Sequence, residues 1–151
     1  AIFNNKTIRL EWQKPGDLKT VPGEEILFPA SALGRKGAYE MRRLAKELGL
    51  RITIAGNAIE EEGFWGDINT RKAGINPLAN IALVIYPTYI EHRPGLLLRA
   101  IAAGIPVITT PASGLSSGTH ITIIPTGDYD ALKQAVQQYV NIRGYRQPAQ
   151  A

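Results

Sequence analysis

Short, continuously apolar runs recur along the chain from residue 25 onward, separated by longer segments of mixed character. Runs without interleaved polar residues are typical of strands that are buried on both faces of a sheet, so each run predicts a β-strand. The predicted strands cover residues 25–29, 51–55, 81–86, 106–110 and 121–125. The pattern therefore predicts a sheet whose strands lie in the interior of the molecule.

Apolar residues at helical spacing follow three of these runs. The helices predicted from this spacing cover residues 37–48, 95–103 and 129–142. Gly49 and Gly104 are typical helix ends, and Asp128 is a typical N-cap for the last helix. Residues 57–79 show neither pattern, so we interpret them as a loop containing at most a poor helix, with Glu60–Glu62 as a solvated face.

Buried strands that alternate with amphipathic helices indicate an α/β fold, here a three-layer, Rossmann-like parallel sheet with helices on both faces. Ligands of such folds bind beyond the carboxyl ends of the strands. The domain is predicted to cover residues 25–142. Residues 1–24, which hold proline–glycine turn signals and one alternating stretch that could form an edge strand, are interpreted as a linker or arm entering the domain. Residues 143–151 are interpreted as a frayed tail.

Composition narrows the class of protein. The 151 residues suffice for one domain, and 44% hydrophobic with 20% charged residues is a globular composition. The absence of cysteine excludes a disulfide scaffold, a cysteine nucleophile and a thiolate metal site, and it fits a cytoplasmic location. The net charge of +4 favours phosphorylated ligands but gives no indication of nucleic-acid binding. No apolar run approaches the ~20 residues that span a bilayer, so we expect membrane contact only through parts outside this chain, at the inner face of a membrane.

The segment after the first predicted strand carries a cluster of glycines and cations. Gly34, Arg35, Lys36 and Gly37 directly precede a predicted helix, where backbone N–H groups and the helix dipole attract anions. One interpretation is a pyrophosphate site, and the other is a solvated basic turn. The segment contains neither a P-loop nor a dinucleotide-binding glycine pattern.

Polar residues also crowd the loop after the strand at 81–86. Glu91 could accept hydrogen bonds from sugar hydroxyls or stabilise developing positive charge, and Arg93 could bind a phosphate. His92 is either a donor or a surface residue, and Gly95 opens the next helix. Because carboxyl ends of parallel strands share one edge of a sheet, we expect this loop and the loop around Lys36 to lie at the same rim.

Three stretches together resemble the C-terminal, donor-binding domain of GT-B fold glycosyltransferases of group 1, the family 4 type. Residues 26–37 are similar to the family's strand followed by a Gly-Arg-x-x-x-x-Lys-Gly pattern. Residues 87–107 resemble its Pro-Ser/Thr-x-x-Glu signature, which continues to a small-residue helix end and Gly-x-Pro-Val. Residues 124–128 resemble its Pro-x-Gly-Asp. The resemblance covers about residues 25–142.

The resemblance implies roles for individual residues. Lys36 matches the lysine that contacts the donor diphosphate, and Glu91 matches the catalytic glutamate that faces the donor sugar. The turn from His92 through Arg93 to Gly95 matches the segment whose backbone approaches sugar and phosphate.

Two positions depart from the family pattern. Ser31 stands where the family has a second phosphate-binding arginine, for which the adjacent Arg35 could compensate. Arg99 stands where the family has a second glutamate that holds the ribose. An arginine cannot accept hydrogen bonds from ribose hydroxyls, although it could contact a phosphate or pair with a nearby acid.

The resemblance implies the donor-binding half of a hexosyltransferase that moves a sugar from a nucleotide-diphosphate sugar to an acceptor with retention. It implies no metal and no cofactor besides that donor substrate. Its partner would be an N-terminal acceptor-binding domain, without which the chain would be inactive. Ser31 and Arg99 favour an alternative, a divergent non-catalytic binding or interaction module on the same fold. A phospho-receiver domain is disfavoured, because Tyr86-Pro87 ends the central strand where an acidic residue would be needed.

Overall fold

The computed structural model describes residues 23–91 and 94–143. This part of the chain forms six β-strands and three α-helices, with short 3-10 turns between some of them. The strands are β1 (Glu25–Phe28), β2 (Ile52–Ile54), β3 (Thr70–Lys72), β4 (Ile81–Tyr86), β5 (Val107–Thr109) and β6 (Ile121–Ile123). The helices are α1 (Ala38–Leu48), α2 (Gly95–Ala102) and α3 (Tyr129–Arg143).

The six strands form one parallel sheet in the order β3-β2-β1-β4-β5-β6. The chain runs outward from β1 to one edge, returns to β4 beside β1, and then runs outward to the other edge. This is the Rossmann order, in which the direction of winding reverses between the two central strands. All six residues of β4 are buried, as expected for a strand covered on both faces. The predicted fold class is therefore confirmed.

The helices cover both faces of the sheet. Because α1 and α2 belong to crossovers that run in opposite directions, the right-handed rule places them on opposite faces. The third helix lies on the α1 side, since the Tyr129 hydroxyl and the Lys133 ammonium of α3 both bind the Glu47 carboxylate of α1. Asp128 caps α3 as predicted, accepting a hydrogen bond from the Ala131 N–H at 3.0 Å.

The interpretation of residues 57–79 as a loop with at most a poor helix is wrong in one respect. It overlooks the edge strand β3. The three residues of this strand are all polar and at least partly exposed, so they give no apolar signal. What fixes this strand is its pairing with β2 and an ion pair from Arg71 to Glu25 on β1, at 2.5 Å. The same region also contributes Phe64, which is 2% exposed and packs edge-on against the ring of Tyr39.

Two regions given an interpretation above lie outside the described residues. They are the arm, apart from residues 23 and 24, and the tail from residue 144 onward. None of the helices in the part of the chain described is both long enough and apolar enough to cross a lipid bilayer.

Candidate functional site

The loops that follow β1 and β4 are in direct backbone contact at the carboxyl edge of the sheet. The Tyr89 N–H donates to the Arg35 carbonyl at 2.9 Å, and the oxygen of the buried Thr88 hydroxyl lies 3.2 Å from the same carbonyl oxygen. Gly37 has a left-handed backbone (φ +85°), and a Cβ there would lie 2.1 Å from the Pro87 carbonyl oxygen. Only glycine fits this close approach, so the two loops are held together by the backbone itself.

Two buried hydroxyls at the end of β5 also fix the loop that follows β4. Thr110 and Thr109, both fully buried at the end of β5, donate to the carbonyls of Thr88 and Tyr86 at 2.7 and 2.8 Å. Thr88 in turn donates to the Ile90 carbonyl at 2.7 Å. These bonds satisfy buried carbonyls and fix the backbone just before Glu91.

A pocket of about 530 Å³ opens beside these two loops. Its walls come from the segments that follow β1, β2, β3 and β4, with one residue from the start of α2. The lining residues are Pro29, Ala30, Ser31, Leu33, Arg35, Lys36, Ala55, Gly56, Ala73, Gly74, Ile75, Pro77, Tyr86, Glu91 and Leu96. The pocket thus lies at the point where the strand order reverses, which is the usual ligand position of this fold.

An ion pair joins the two loops inside this pocket. The Lys36 ammonium lies 3.1 Å from Glu91 Oε1 and 3.3 Å from the Ile90 carbonyl oxygen. The Lys36 side chain is 19% exposed and that of Glu91 is 12% exposed. Both groups therefore face the pocket while being partly shielded from bulk water, which strengthens their interaction relative to a surface pair.

The Tyr86 hydroxyl binds the ion pair as well, so Lys36, Tyr86 and Glu91 form one cluster. Its hydroxyl, at the end of the central strand, donates to the same Oε1 atom of Glu91 that binds Lys36. Burial of the hydroxyl, together with the hydrogen bond to Glu91, raises the pKa of Tyr86 above its ordinary value. The hydroxyl consequently stays protonated and acts as a donor at any physiological pH.

Ser31 is hydrogen-bonded to the segment that follows β2. Its hydroxyl accepts a hydrogen bond from the Ala58 N–H at 3.1 Å, and a Cβ on Gly56 would lie 2.1 Å from the Ser31 nitrogen. The segment after β2 therefore packs directly on the segment after β1. Glu60 extends this contact by accepting a hydrogen bond from the Gly34 N–H at 2.7 Å, so it is not merely the solvated residue that its acidic neighbours suggest.

Comparison with known proteins assigns the chain to a family. A family model described as Glycosyl transferases group 1 matches residues 36–141, which is more than half of the chain. The chain belongs to this family. Comparison of this group 1 glycosyltransferase domain with curated protein sequences finds no match.

Solved structures also resemble this group 1 glycosyltransferase domain. One is the C-terminal domain of a glycosyl transferase group 1 family protein (LpcC) from Francisella tularensis, with a TM-score of 0.60 and 15% identity over 80% of this chain and 77% of that one. Another is the apo form of the lipopolysaccharide outer core galactosyltransferase WaaB, with a TM-score of 0.63 and 13% identity. That match covers 88% of this chain and 44% of WaaB, so the domain spans less than half of that protein. At these identities the likeness concerns the fold alone.

Of the residues that the sequence singles out, the structure of the glycosyltransferase domain brings four to the pocket. Ser31, Arg35, Lys36 and Glu91 all line it. Gly95 is the exposed first residue of α2 and lies outside the lining, while His92 and Arg93 lie outside the described residues.

Arg99 is exposed on the last turn of α2 and does not line the pocket either. Its position gives no support to a contact with the pocket's ligand. In residues 23–91 and 94–143 no group of three or more histidine, aspartate or glutamate side chains is arranged to hold a metal ion.

Sequence reasoning overlooked one polar group of the glycosyltransferase domain, the Tyr86 hydroxyl. Tyr86 closes the run of apolar residues that forms the buried strand β4, so the run predicts burial of its ring and gives no signal for its hydroxyl. A tyrosine that ends a central strand five residues before a candidate glutamate is the signal that could have found it.

Proposed function

We propose that this domain is the donor-binding half of a glycosyltransferase and that it holds the diphosphate of a nucleotide-diphosphate sugar. The observation that carries the proposal is the pocket at the reversal of strand order, with Arg35, Lys36 and Glu91 on its walls. Two cations next to backbone turns suit a diphosphate, and a carboxylate beside them suits the donor sugar.

The chemistry that this arrangement supports is departure of the nucleotide diphosphate. As the glycosidic bond breaks, negative charge grows on the diphosphate, and the Lys36 and Arg35 cations stabilise it more in the transition state than in the ground state. Glu91 acts on the opposite charge, which develops on the sugar. Retention of configuration belongs to the proposal through the family resemblance alone.

The acceptor side of the reaction is proposed to come from a second, N-terminal domain. Five of the six large hydrophobic side chains that are exposed in the described residues lie at or near the carboxyl edge of the sheet. They are Tyr39, Ile59, Ile75, Tyr89 and Ile90. Such an apolar rim around a pocket suits coverage by another domain. Because that domain would bind the acceptor, the isolated chain is proposed to bind its donor without turning it over.

The experiment is titration calorimetry of the 151-residue chain with UDP-glucose, GDP-mannose and ADP-glucose. We expect millimolar or tighter binding of at least one of them. Lys36→Ala should weaken that binding at least fivefold, or by about 1 kcal/mol or more, because it removes a charge-assisted contact. Lys46→Ala, which removes an equal charge from the exposed last turn of α1, should leave it unchanged.

The alternative, a non-catalytic module on the same fold, is favoured by two observations. Ser31 offers the pocket a neutral hydroxyl that also accepts a hydrogen bond from the Ala58 N–H, and Arg99 does not line the pocket. A folded chain that binds none of the three donors at several millimolar, or an affinity that Lys36→Ala and Lys46→Ala change equally, would decide for this alternative.

A further inference from the structure

Two donors bind one oxygen atom of Glu91. Lys36 reaches Oε1 at 3.1 Å, and the Tyr86 hydroxyl donates to the same atom. A diphosphate that enters the pocket competes with Glu91 for the positive charge of the Lys36 ammonium. Removing that ammonium from a carboxylate that is only 12% exposed is costly unless other donors remain on the carboxylate.

The two donors differ in their freedom to move. Tyr86 is 2% exposed, its ring packs edge-on against Phe28 at 6.2 Å, and its own carbonyl is bound by the Thr109 hydroxyl. Lys36 reaches the carboxylate on a flexible four-carbon stem from a loop, and 19% of its side chain is exposed. Tyr86 is thus the fixed partner of Glu91, and Lys36 is the partner that can exchange.

We propose that Tyr86 is a positioning residue: its hydroxyl keeps the Glu91 carboxylate in place while Lys36 exchanges from Glu91 to the diphosphate of the donor. The exchange rests on the proposed function, whereas the hold of Tyr86 on Glu91 does not. The charged groups that act on this cluster include Lys36 and Arg35, both on the loop after β1.

Removal of the hydroxyl has a consequence that a purely structural role would not produce. In Tyr86→Phe, Glu91 loses a fixed donor, so it should hold Lys36 more strongly, which weakens diphosphate binding, or take up a proton more readily when Lys36 leaves. Nucleotide binding should therefore be accompanied by more proton uptake in the variant than in the wild type.

The test is calorimetry with UDP, GDP and ADP at pH 7 in buffers of different ionisation enthalpy. Tyr86→Phe should bind about tenfold more weakly than the wild type and take up a fraction of a proton, because the hydrogen bond that it loses is made to a charged group. Adding Glu91→Gln to Tyr86→Phe should abolish the uptake. Tyr129→Phe, which removes a tyrosine–carboxylate bond remote from the pocket, should match the wild type. Equal affinity and equal proton uptake in wild type and Tyr86→Phe overturn the proposal.

A second measurement needs no nucleotide. Carboxyl-carbon NMR of the ligand-free chain should show a titration midpoint for Glu91 at higher pH in Tyr86→Phe than in the wild type, because the variant lacks a donor to the carboxylate. An unchanged value overturns the role of Tyr86 even if nucleotides bind. A raised value in a chain that binds no nucleotide keeps Tyr86 as the anchor of Glu91, and it overturns the exchange together with the proposed function.

Discussion

Replacing Gly37 by alanine tests whether backbone contact holds the two loops of the pocket together. The new Cβ would lie 2.1 Å from the Pro87 carbonyl oxygen and 2.5 Å from its carbonyl carbon. These are backbone atoms that cannot rotate out of the way, so the segment that leads to Glu91 would have to move.

Gly114 offers a matched control for this substitution. Like Gly37, it follows a 3-10 turn, has a φ of +85° and donates its N–H to the carbonyl three residues earlier at 3.0 Å. A Cβ on Gly114, in contrast, would meet nothing within 4 Å. Gly114→Ala therefore carries the backbone cost of a left-handed alanine without the collision.

The two variants should lose different amounts of stability. A left-handed L-residue costs about 1–2 kcal/mol, which applies to both variants. The gain from a less flexible unfolded chain also applies to both and cancels in the comparison. Forcing an extra carbon into a packed contact adds about 1–3 kcal/mol, which applies to Gly37→Ala alone. We therefore expect a loss of about 2–5 kcal/mol for Gly37→Ala and about 1–2 kcal/mol for Gly114→Ala.

Urea unfolding of each full-length variant, followed by circular dichroism, measures this difference through the midpoint and the m-value. Amide chemical shifts of residues 86–91 should move in Gly37→Ala and stay in place in Gly114→Ala. Equal losses of stability in the two variants would refute the reasoning, because they would show that the two loops separate at no cost.

Two further predictions concern the elements around the site. Hydrogen bonds from Tyr129 and Lys133 lower the pKa of Glu47 from 4.5 to about 2, so this carboxylate stabilises the fold above about pH 4.5 and loses that effect as the pH falls toward 2. Glu47→Gln should flatten the rise of unfolding free energy with pH over that window, as measured by urea unfolding at several pH values; an unaltered slope would contradict the assignment. Thr110→Val should cost about 1–3 kcal/mol, because it leaves the buried Thr88 carbonyl without a donor, whereas Thr122→Val on the exposed side of β6 should cost less than about 0.5 kcal/mol. Equal losses in thermal or urea unfolding would show that the buried hydroxyl does not support the β4 loop.

The sequence could predict the fold because its strongest signals are local. The run at residues 81–86 is continuously apolar and became the fully buried β4, and the cap at Asp128 is one residue with its own hydrogen bond. The edge strand β3 escaped prediction, since an edge position buries too little surface to require apolar residues. Its place is fixed by partners on other strands, which no local window contains.

The candidate site, too, has features that the sequence predicts and features that only the tertiary structure decides. Sequence order alone placed Lys36 and Glu91 after neighbouring strands of a parallel sheet, and hence at one rim. Only the tertiary structure decided that they pair, across 55 positions of sequence, and that the Tyr86 hydroxyl shares their oxygen atom. It also decided that Ser31 bonds to Ala58 and that Arg99 does not line the pocket. The physical reason is that hydrophobic periodicity acts over one or two turns of chain, whereas a contact within about 3 Å depends on sheet register and loop geometry across the whole fold.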